Sequence, residues 1–404
     1  MVLVLNKYMT IGLAVLLLIL GKGILQKIPI LKKYCIPAPV VGGLVFSIVN
    51  SILRGTNILT IELDFSLQEF FMVIFFTSVG FSASLKTLKL GGMEVFKFLA
   101  VAVGLVFLQN GLSILLAGPV GVDPKLAMMT GSTPLTGGLG TSAAIAPGLE
   151  MRGIQGAHTV AITSATFAMI MGSIIGGPIA DKLIKKHNLY EKKLASRDMF
   201  VDESALANDS KFLDKDLLGH AVFLILIAVG IGMIFTYGIN ALVGLVIKDI
   251  TFPIYIGPMI VAAVMRNIFD SWDNHHTPMN EIQTSGDLAL NLFLGLALMN
   301  LKLWELTNLA LPLIILLAAQ TVLMAVYAYT VSFKVMGRNY DSAVIAAGFC
   351  GFGMGAVANG MANMSAVCEK YTYSQLAFFV IPIVGSLFID FLNIIIITGT
   401  LVII

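Results

Sequence analysis

Apolar residues fall along this chain in long runs, and polar positions gather between the runs instead of alternating within them. A helix crossing lipid needs about 20 mostly apolar residues. By that rule the pattern predicts spans near 8–22, 36–53, 66–85, 93–117 and 157–180, then near 217–247, 252–269, 286–303, 307–333 and 374–402. A polar stretch, 181–216, separates the two sets of five and reads as a solvated tether. Two stretches break the pattern: GSTPLTGGLGTSAA from Gly131 to Ala144, and GFCGFGMGAVA from Gly348 to Ala358. Each lies between the fourth and fifth span of its half, in a run too short to cross and return as two full helices. Each therefore predicts a re-entrant hairpin, near 125–147 and near 342–365. Glycine costs about 1 kcal/mol against alanine inside a helix. Irregular backbone at membrane depth is tolerated only where protein buries it or it lines a cavity. The two stretches are accordingly expected to face each other and form a site.

The halves read as repeats. IPAPVVGG at Ile36 matches FPIYIGP at Phe252, Gln109 matches Gln320, GGLGTSAA at Gly137 matches CGFGMGAV at Cys350, and Gly172–Ser173 matches Gly385–Ser386. The offsets stay between 211 and 216 residues. Lys and Arg set the orientation, since they favour cytoplasmic connections. With the N-terminus outside, the cytoplasmic side collects Lys22, Lys27, Lys32, Lys33, Lys86, Lys89, Lys97, the linker's lysines and Arg197, Arg266, Lys334, Arg338 and Lys370. Only Lys7, Arg54, Lys125, Arg152, Lys248 and Lys302 are left for the other face. Both termini are expected outside, with the linker cytoplasmic. Five spans per half is odd, so the second half enters the membrane inverted. The expected fold is an all-α integral membrane protein of ten transmembrane helices in two inverted repeats, 1–180 and 217–404, each with a re-entrant hairpin. Inverted repeats whose broken helices meet near the midplane point to a secondary transporter.

Composition sharpens this reading. The 404 residues are 57% hydrophobic and 12% charged, against about 25% charged in soluble domains. Mean hydropathy is +0.92. The first apolar run lacks a basic leader and a convincing cleavage site, and is expected to be a retained span. Cys35, Cys350 and Cys368 have no metal-ligand spacing and read as small buried apolar residues. The five histidines form no catalytic set, and no phosphate-binding loop suggests ATP-driven transport. An intramembrane enzyme would need a nucleophile beside a base or a metal cluster, so no enzyme is expected. A channel, which would conduct without saturation or sodium dependence, is disfavoured more strongly. No nucleic-acid partner and no organic cofactor are expected.

The hairpins supply the candidate chemistry. Gly137, Gly138, Gly140, Gly351, Gly353 and Gly355 allow backbone to approach a ligand closely. Ser132, Thr133, Thr136, Thr141 and Ser142 add hydroxyls, and Asn359 adds an amide. Amides exposed at half-helix N-termini attract a carboxylate. The competing reading is that the glycines serve tight helix packing. For sodium, whose ligands are hard oxygens, the candidates are Thr163, Ser164, Thr166, Asn363, Asp390 and Asn393. Hydroxyls on a helix more often bond back to its own carbonyls, and Asp390 with Asn393 could equally form a structural pair. Gln109, Asn110 and Gln320 are expected mainly to hold helices together.

Long motifs then carry a resemblance: LKKYCIPAPVVGG at Leu31, GLALMNLKLWEL at Gly295, LALPLIILLAAQT at Leu309, MGRNYDSAVIAAGFCGFGMGA at Met336, ANM at Ala362, and FFID with LN around Asp390 and Asn393. Over nearly its whole length the chain resembles the bacterial sodium/glutamate symporters. The resemblance implies inward L-glutamate transport driven by Na+ across the bacterial cytoplasmic (inner) membrane. It implies a homodimer with a static scaffold, and a hairpin-bearing unit that slides through the lipid bilayer as an elevator. The chain departs from the family's pattern at Leu139, at Ser142 and around Val357, Ala358 and Asn359. Those departures leave room for sodium- or proton-coupled carriage of aspartate, citrate or another dicarboxylate.

Overall fold

Long apolar runs become helices because a helix pairs its backbone groups internally, which a bilayer interior demands. The computed structural model describes residues 2–33, 36–56, 59–86, 92–195, 214–246, 253–271, 277–302 and 309–404. In chain order the main helices are α1 Lys7–Lys27, α2 Ala38–Gly55, α3 Ser66–Ser82, α4 Gly92–Val120, α5 Gly138–Met151 and α6 Ala157–His187. After the linker come α7 Lys215–Val246, α8 Ile256–Ser271, α9 Met279–Met299, α10 Ala310–Tyr327, α11 Tyr340–Gly353, α12 Val357–Lys370, α13 Gln375–Ile383 and α14 Ile389–Ile403. Seven of these are long and apolar enough to cross a membrane, and α3 and α14 are shorter apolar helices. The protein is thus a multi-pass, almost wholly helical membrane protein.

The helices sort into two bundles. One holds α1, α2 and α3 from the first half with α7, α8 and α9 from the second. The other holds α4, α5 and α6 with α10 to α14, and includes both hairpins. Contact is dense within each bundle and sparse between them. The boundary is apolar: Leu139, Ile162, Met169 and Ile394 of the hairpin bundle pack with Met72, Phe76, Phe293 and Leu294 of the other.

Several boundaries differ from the sequence pattern. Helix α6 runs past 180 to His187, where Asn188 closes it in the left-handed conformation, and a further short helix covers Leu189–Ala195. The expected linker is therefore partly helical; its residues 196–213 lie outside the described residues, as do Cys35, Lys89, Lys248, Phe252, His275 and His276. Helix α9 begins at Met279, earlier than 286, because its first turns carry Glu281, Gln283 and Asp287 and fail an apolar criterion. The last expected span is interrupted: a π-helical turn, Val384–Phe388, joins α13 to α14. A two-stranded parallel ribbon, β1 Val2–Leu5 and β2 Thr60–Leu63, was not expected. Strands of four residues leave too short a signature in a chain this apolar.

Candidate functional site

Each glycine-rich stretch folds as two half-length legs around a turn. In the second hairpin, α11 and α12 have 14 residues each. That is about 21 Å of helix, short of the roughly 30 Å hydrocarbon core. Asn339 starts α11 with a reciprocal capping box to Ser342. In the first hairpin the inward leg is broken into Pro124–Ala127, a 3-10 turn Met128–Thr130 and a short helix Ser132–Leu135, and α5 is the return leg. Both α11 and α12 pack against α6. Glycine permits this approach: a Cβ on Gly351 would sit 2.5 Å from the Asn359 carbonyl carbon, and one on Gly176 would sit 2.3 Å from Asn363 Nδ2.

The tips meet. Gly138 has φ +64, and a Cβ there would lie 2.9 Å from the Gly355 carbonyl oxygen. Gln109 on α4 joins the tips from behind. Its Nε2 donates to the Gly353 carbonyl at 2.8 Å, and its Oε1 accepts from Thr136 Oγ1 at 2.7 Å. Gln320 on α10 supports it, donating from Nε2 to the Gln109 carbonyl at 2.7 Å and to Ser113 Oγ at 2.9 Å. Sequence reasoning read both glutamines as helix glue. Their buried places at matching points of the two halves were the available signal for more.

Between the tips and the other bundle lies a cavity of about 180 Å³, well beyond the roughly 10–15 Å³ that one water needs. Its hairpin wall includes Thr136, Gly137, Gly138, Gly140, Thr141 and Gly355, together with Asp390. Phe75, Phe76, Leu290 and Leu294 close it from the other bundle, and nothing in the sequence had marked these four. Two helices begin at this cavity. Helix α5 starts after Gly137 and α12 after Ala356, and neither N-terminus has a side-chain cap. An uncapped helix N-terminus presents N–H groups and a positive dipole end that attract an anion. A larger cavity of about 580 Å³ lies further along α5, lined by Met72, Ala143, Arg152, Asn240, Tyr255 and Leu401 among others.

The other candidates sit away from the 180 Å³ cavity wall. Gly351 and Gly353 pack helices, the latter against Leu105 and Met324. Asn359 donates to the Met169 carbonyl at 3.0 Å and Ser173 Oγ at 2.7 Å, and Asn363 to the Gly172 carbonyl at 2.9 Å and the Ala347 carbonyl at 3.1 Å. These four bonds hold α12 on α6 and α11. Thr166 Oγ1 bonds back to the Ile162 carbonyl, and Thr163 is half-buried on the same helix. Ser132, Thr133, Ser142, Ser164 and Asn393 are fully buried around the first hairpin.

Two half-helices converging on a cavity between two bundles is the arrangement of an ion-coupled carrier, and similarity to known proteins agrees. The family model for the sodium/glutamate symporters matches residues 3–373. The chain belongs to the sodium/glutamate symporter family. It is 36% identical over 385 residues to the sodium/glutamate symporter of Escherichia coli (strain K12), covering 95% of this chain and 94% of that protein. The Shigella flexneri symporter gives the same values. The Haemophilus influenzae symporter is 33% identical over 413 residues, with 96% and 95% covered. These relatives are named as transporters, not enzymes.

Proposed function

We propose that this chain is a sodium-coupled symporter that carries L-glutamate into the cell across the bacterial cytoplasmic membrane. The observation that carries the reading is the pair of uncapped helix N-termini, at Gly138 and Val357, on one cavity that also contains Asp390. L-Glutamate has two carboxylates and one ammonium. Each N-terminus offers N–H donors and the positive end of a helix dipole to one carboxylate, worth up to about 2 kcal/mol in a partly buried setting. Asp390 offers its carboxylate to the ammonium. Thr136 and Thr141 add hydroxyls. Citrate and simple dicarboxylates have no ammonium to meet Asp390, so the wall favours an amino acid over them.

Movement follows from the two bundles. Their apolar boundary offers few directional bonds to break, and the hairpin bundle carries one wall of the site. We take the hairpin bundle to slide against the other as an elevator. The other bundle is then a fixed scaffold, on which a second copy would dimerise as the family resemblance implies. Each half contributes three helices to the scaffold, then a helix, a hairpin and a closing helix to the moving part. That common order supports two repeats of five spans each, and an odd number of spans inverts the second; termini outside rest on the Lys and Arg distribution. In that orientation the 580 Å³ cavity is the outer approach. The work comes from sodium, since one charge crossing 100 mV is worth about 2.3 kcal/mol.

Labelled L-glutamate uptake by proteoliposomes, competed with aspartate, citrate and succinate under an inward sodium gradient, tests the substrate. Saturable glutamate uptake, displaced by aspartate more strongly than by citrate or succinate, is expected. Folded protein that takes up citrate but not glutamate would overturn the assignment.

A further inference from the structure

Hydroxyls on this protein's helices have a settled habit. Ser47, Thr77, Thr166, Ser173, Thr236, Ser285, Thr321 and Thr400 all donate to the carbonyl four residues earlier. Four buried serines among the described residues find no partner: Ser332 lies apart, in the π-helical turn after α10, and the other three gather around the first hairpin. Ser132 Oγ, Ser142 Oγ and Ser164 Oγ have no hydrogen-bond partner, and neither has Asn393 Oδ1. Leaving one such atom unpaired in the interior costs about 1–3 kcal/mol. Four at random would be a heavy burden for one small region, so their positions matter.

They occupy one level. Met128, Ile145, Ala146, Ala161 and Ile397 form part of a single apolar cluster that joins the two legs of the first hairpin to α6 and α14. From each strand of that cluster, one step of three or four residues toward the hairpin tip reaches a polar residue. Met128 leads to Ser132, Ala146 back to Ser142, Ala161 to Ser164, and Ile397 back to Asn393. Within α5, α6 and α14 such steps stay on one face, so each of these helices turns one buried oxygen into the next layer below the apolar cluster. On the inward leg the backbone breaks at Gly131, and Ser132 is placed by the contacts of its own short helix. The short helix Ser132–Leu135 packs against α4, α5, α6 and α14, and Asn393 Nδ2 donates to the Ser132 carbonyl at 3.2 Å, which ties the layer together. Thr133 Oγ1, also buried and unpartnered, adjoins it. One further turn toward the tip lie Thr136 and Asp390, at the cavity wall.

We infer that this oxygen layer binds a coupling sodium ion, with Ser132, Ser142, Ser164 and Asn393 as side-chain ligands. The inference rests on the sodium symport proposed above and places the ion behind the substrate cavity. The donor set fits: its atoms are neutral oxygens, which suit a monovalent hard cation, and no carboxylate that would favour a divalent ion belongs to it. The ligands come from four separate elements. An ion held between them draws both hairpin legs onto α6 and α14, and so fixes Gly138 at the cavity before glutamate arrives. Sodium is then required for high-affinity glutamate binding without touching it. Ser132 and Ser142 move from the substrate to the ion.

The test is a sodium titration of full-length protein in nanodiscs, read by thermal unfolding without glutamate, and of uptake in proteoliposomes. Choline replaces sodium at constant ionic strength. Wild type is compared with Ser142→Ala, Ser164→Ala and Asn393→Ala. Each variant is expected to need at least tenfold more sodium for half-maximal stabilisation and for half-maximal uptake. Half-saturation by glutamate, measured at saturating sodium, should move less than threefold. If Asn393→Ala does not fold, the two serine variants decide. Serine variants that titrate with sodium as wild type does would overturn this site while leaving symport intact. Uptake by wild type that ignores sodium would instead remove the symport reading on which the site depends.

Discussion

Gly138 bears two constraints at once at the cavity, a backbone angle and a close neighbour. Its φ of +64 suits glycine, and the Gly355 carbonyl stands 2.9 Å from where a Cβ would go. A left-handed conformation alone costs an L-residue roughly 1–2 kcal/mol, and separating the tips adds to it. Gly138→Val is expected to lower glutamate uptake at least tenfold while membrane levels on immunoblots stay normal; unchanged uptake would remove tip contact from the mechanism. Gln109 carries a further constraint, since it holds both Thr136 and Gly353. In Gln109→Leu those buried groups lose their partner at about 1–3 kcal/mol, and 1.4 kcal/mol is a factor of ten. Half-saturation by glutamate should rise about tenfold, measured by uptake across substrate concentrations. At this scale the sequence made the first tip legible through its glycines and threonines. It could not show what Gln109 does. A polar residue in an apolar span must find a partner, but the spacing does not say whether that partner is a neighbouring helix or, as here, both hairpins.

Helices α11 and α12 show why the hairpins were readable as elements. Fourteen-residue legs around a glycine turn are too short to cross, and length is something a sequence states directly. The beginning of α9 was hidden because Glu281, though buried, breaks an apolar run. The π-helical turn before α14 was hidden because one extra residue in a turn changes no period that a short window can detect. Between the bundles, the Lys302 amide donates to Thr159 Oγ1 at 3.4 Å, which sets α6 beside the end of α9. If the hairpin bundle slides, pinning this point stops transport. With Cys35, Cys350 and Cys368 replaced by alanine, Thr159→Cys with Lys302→Cys, bridged by a reducible bifunctional reagent, is expected to lose at least nine-tenths of uptake and to regain it on reduction. Full uptake in the bridged protein would contradict sliding at this boundary.

Over the whole molecule, the ordering of the bundles is the feature a linear reading was least able to supply. Helices α1 to α3 join α7 to α9 from the other half of the chain, whereas α3 and α4 are neighbours in sequence and part company in space. Landmarks at a steady offset predicted a repeat, yet the exchange of partners between the halves is set by packing that no single span encodes. Phe75 and Leu290 illustrate the consequence. They close the cavity from the bundle opposite the hairpins, and in sequence they are two unremarked apolar residues in apolar helices. Everything in the account depends on sodium moving with glutamate through this arrangement. Purified protein in proteoliposomes, given labelled L-glutamate under an inward sodium gradient or an equal potassium gradient, tests that most directly. Accumulation with sodium and none with potassium is predicted; equal accumulation under both gradients would contradict the account.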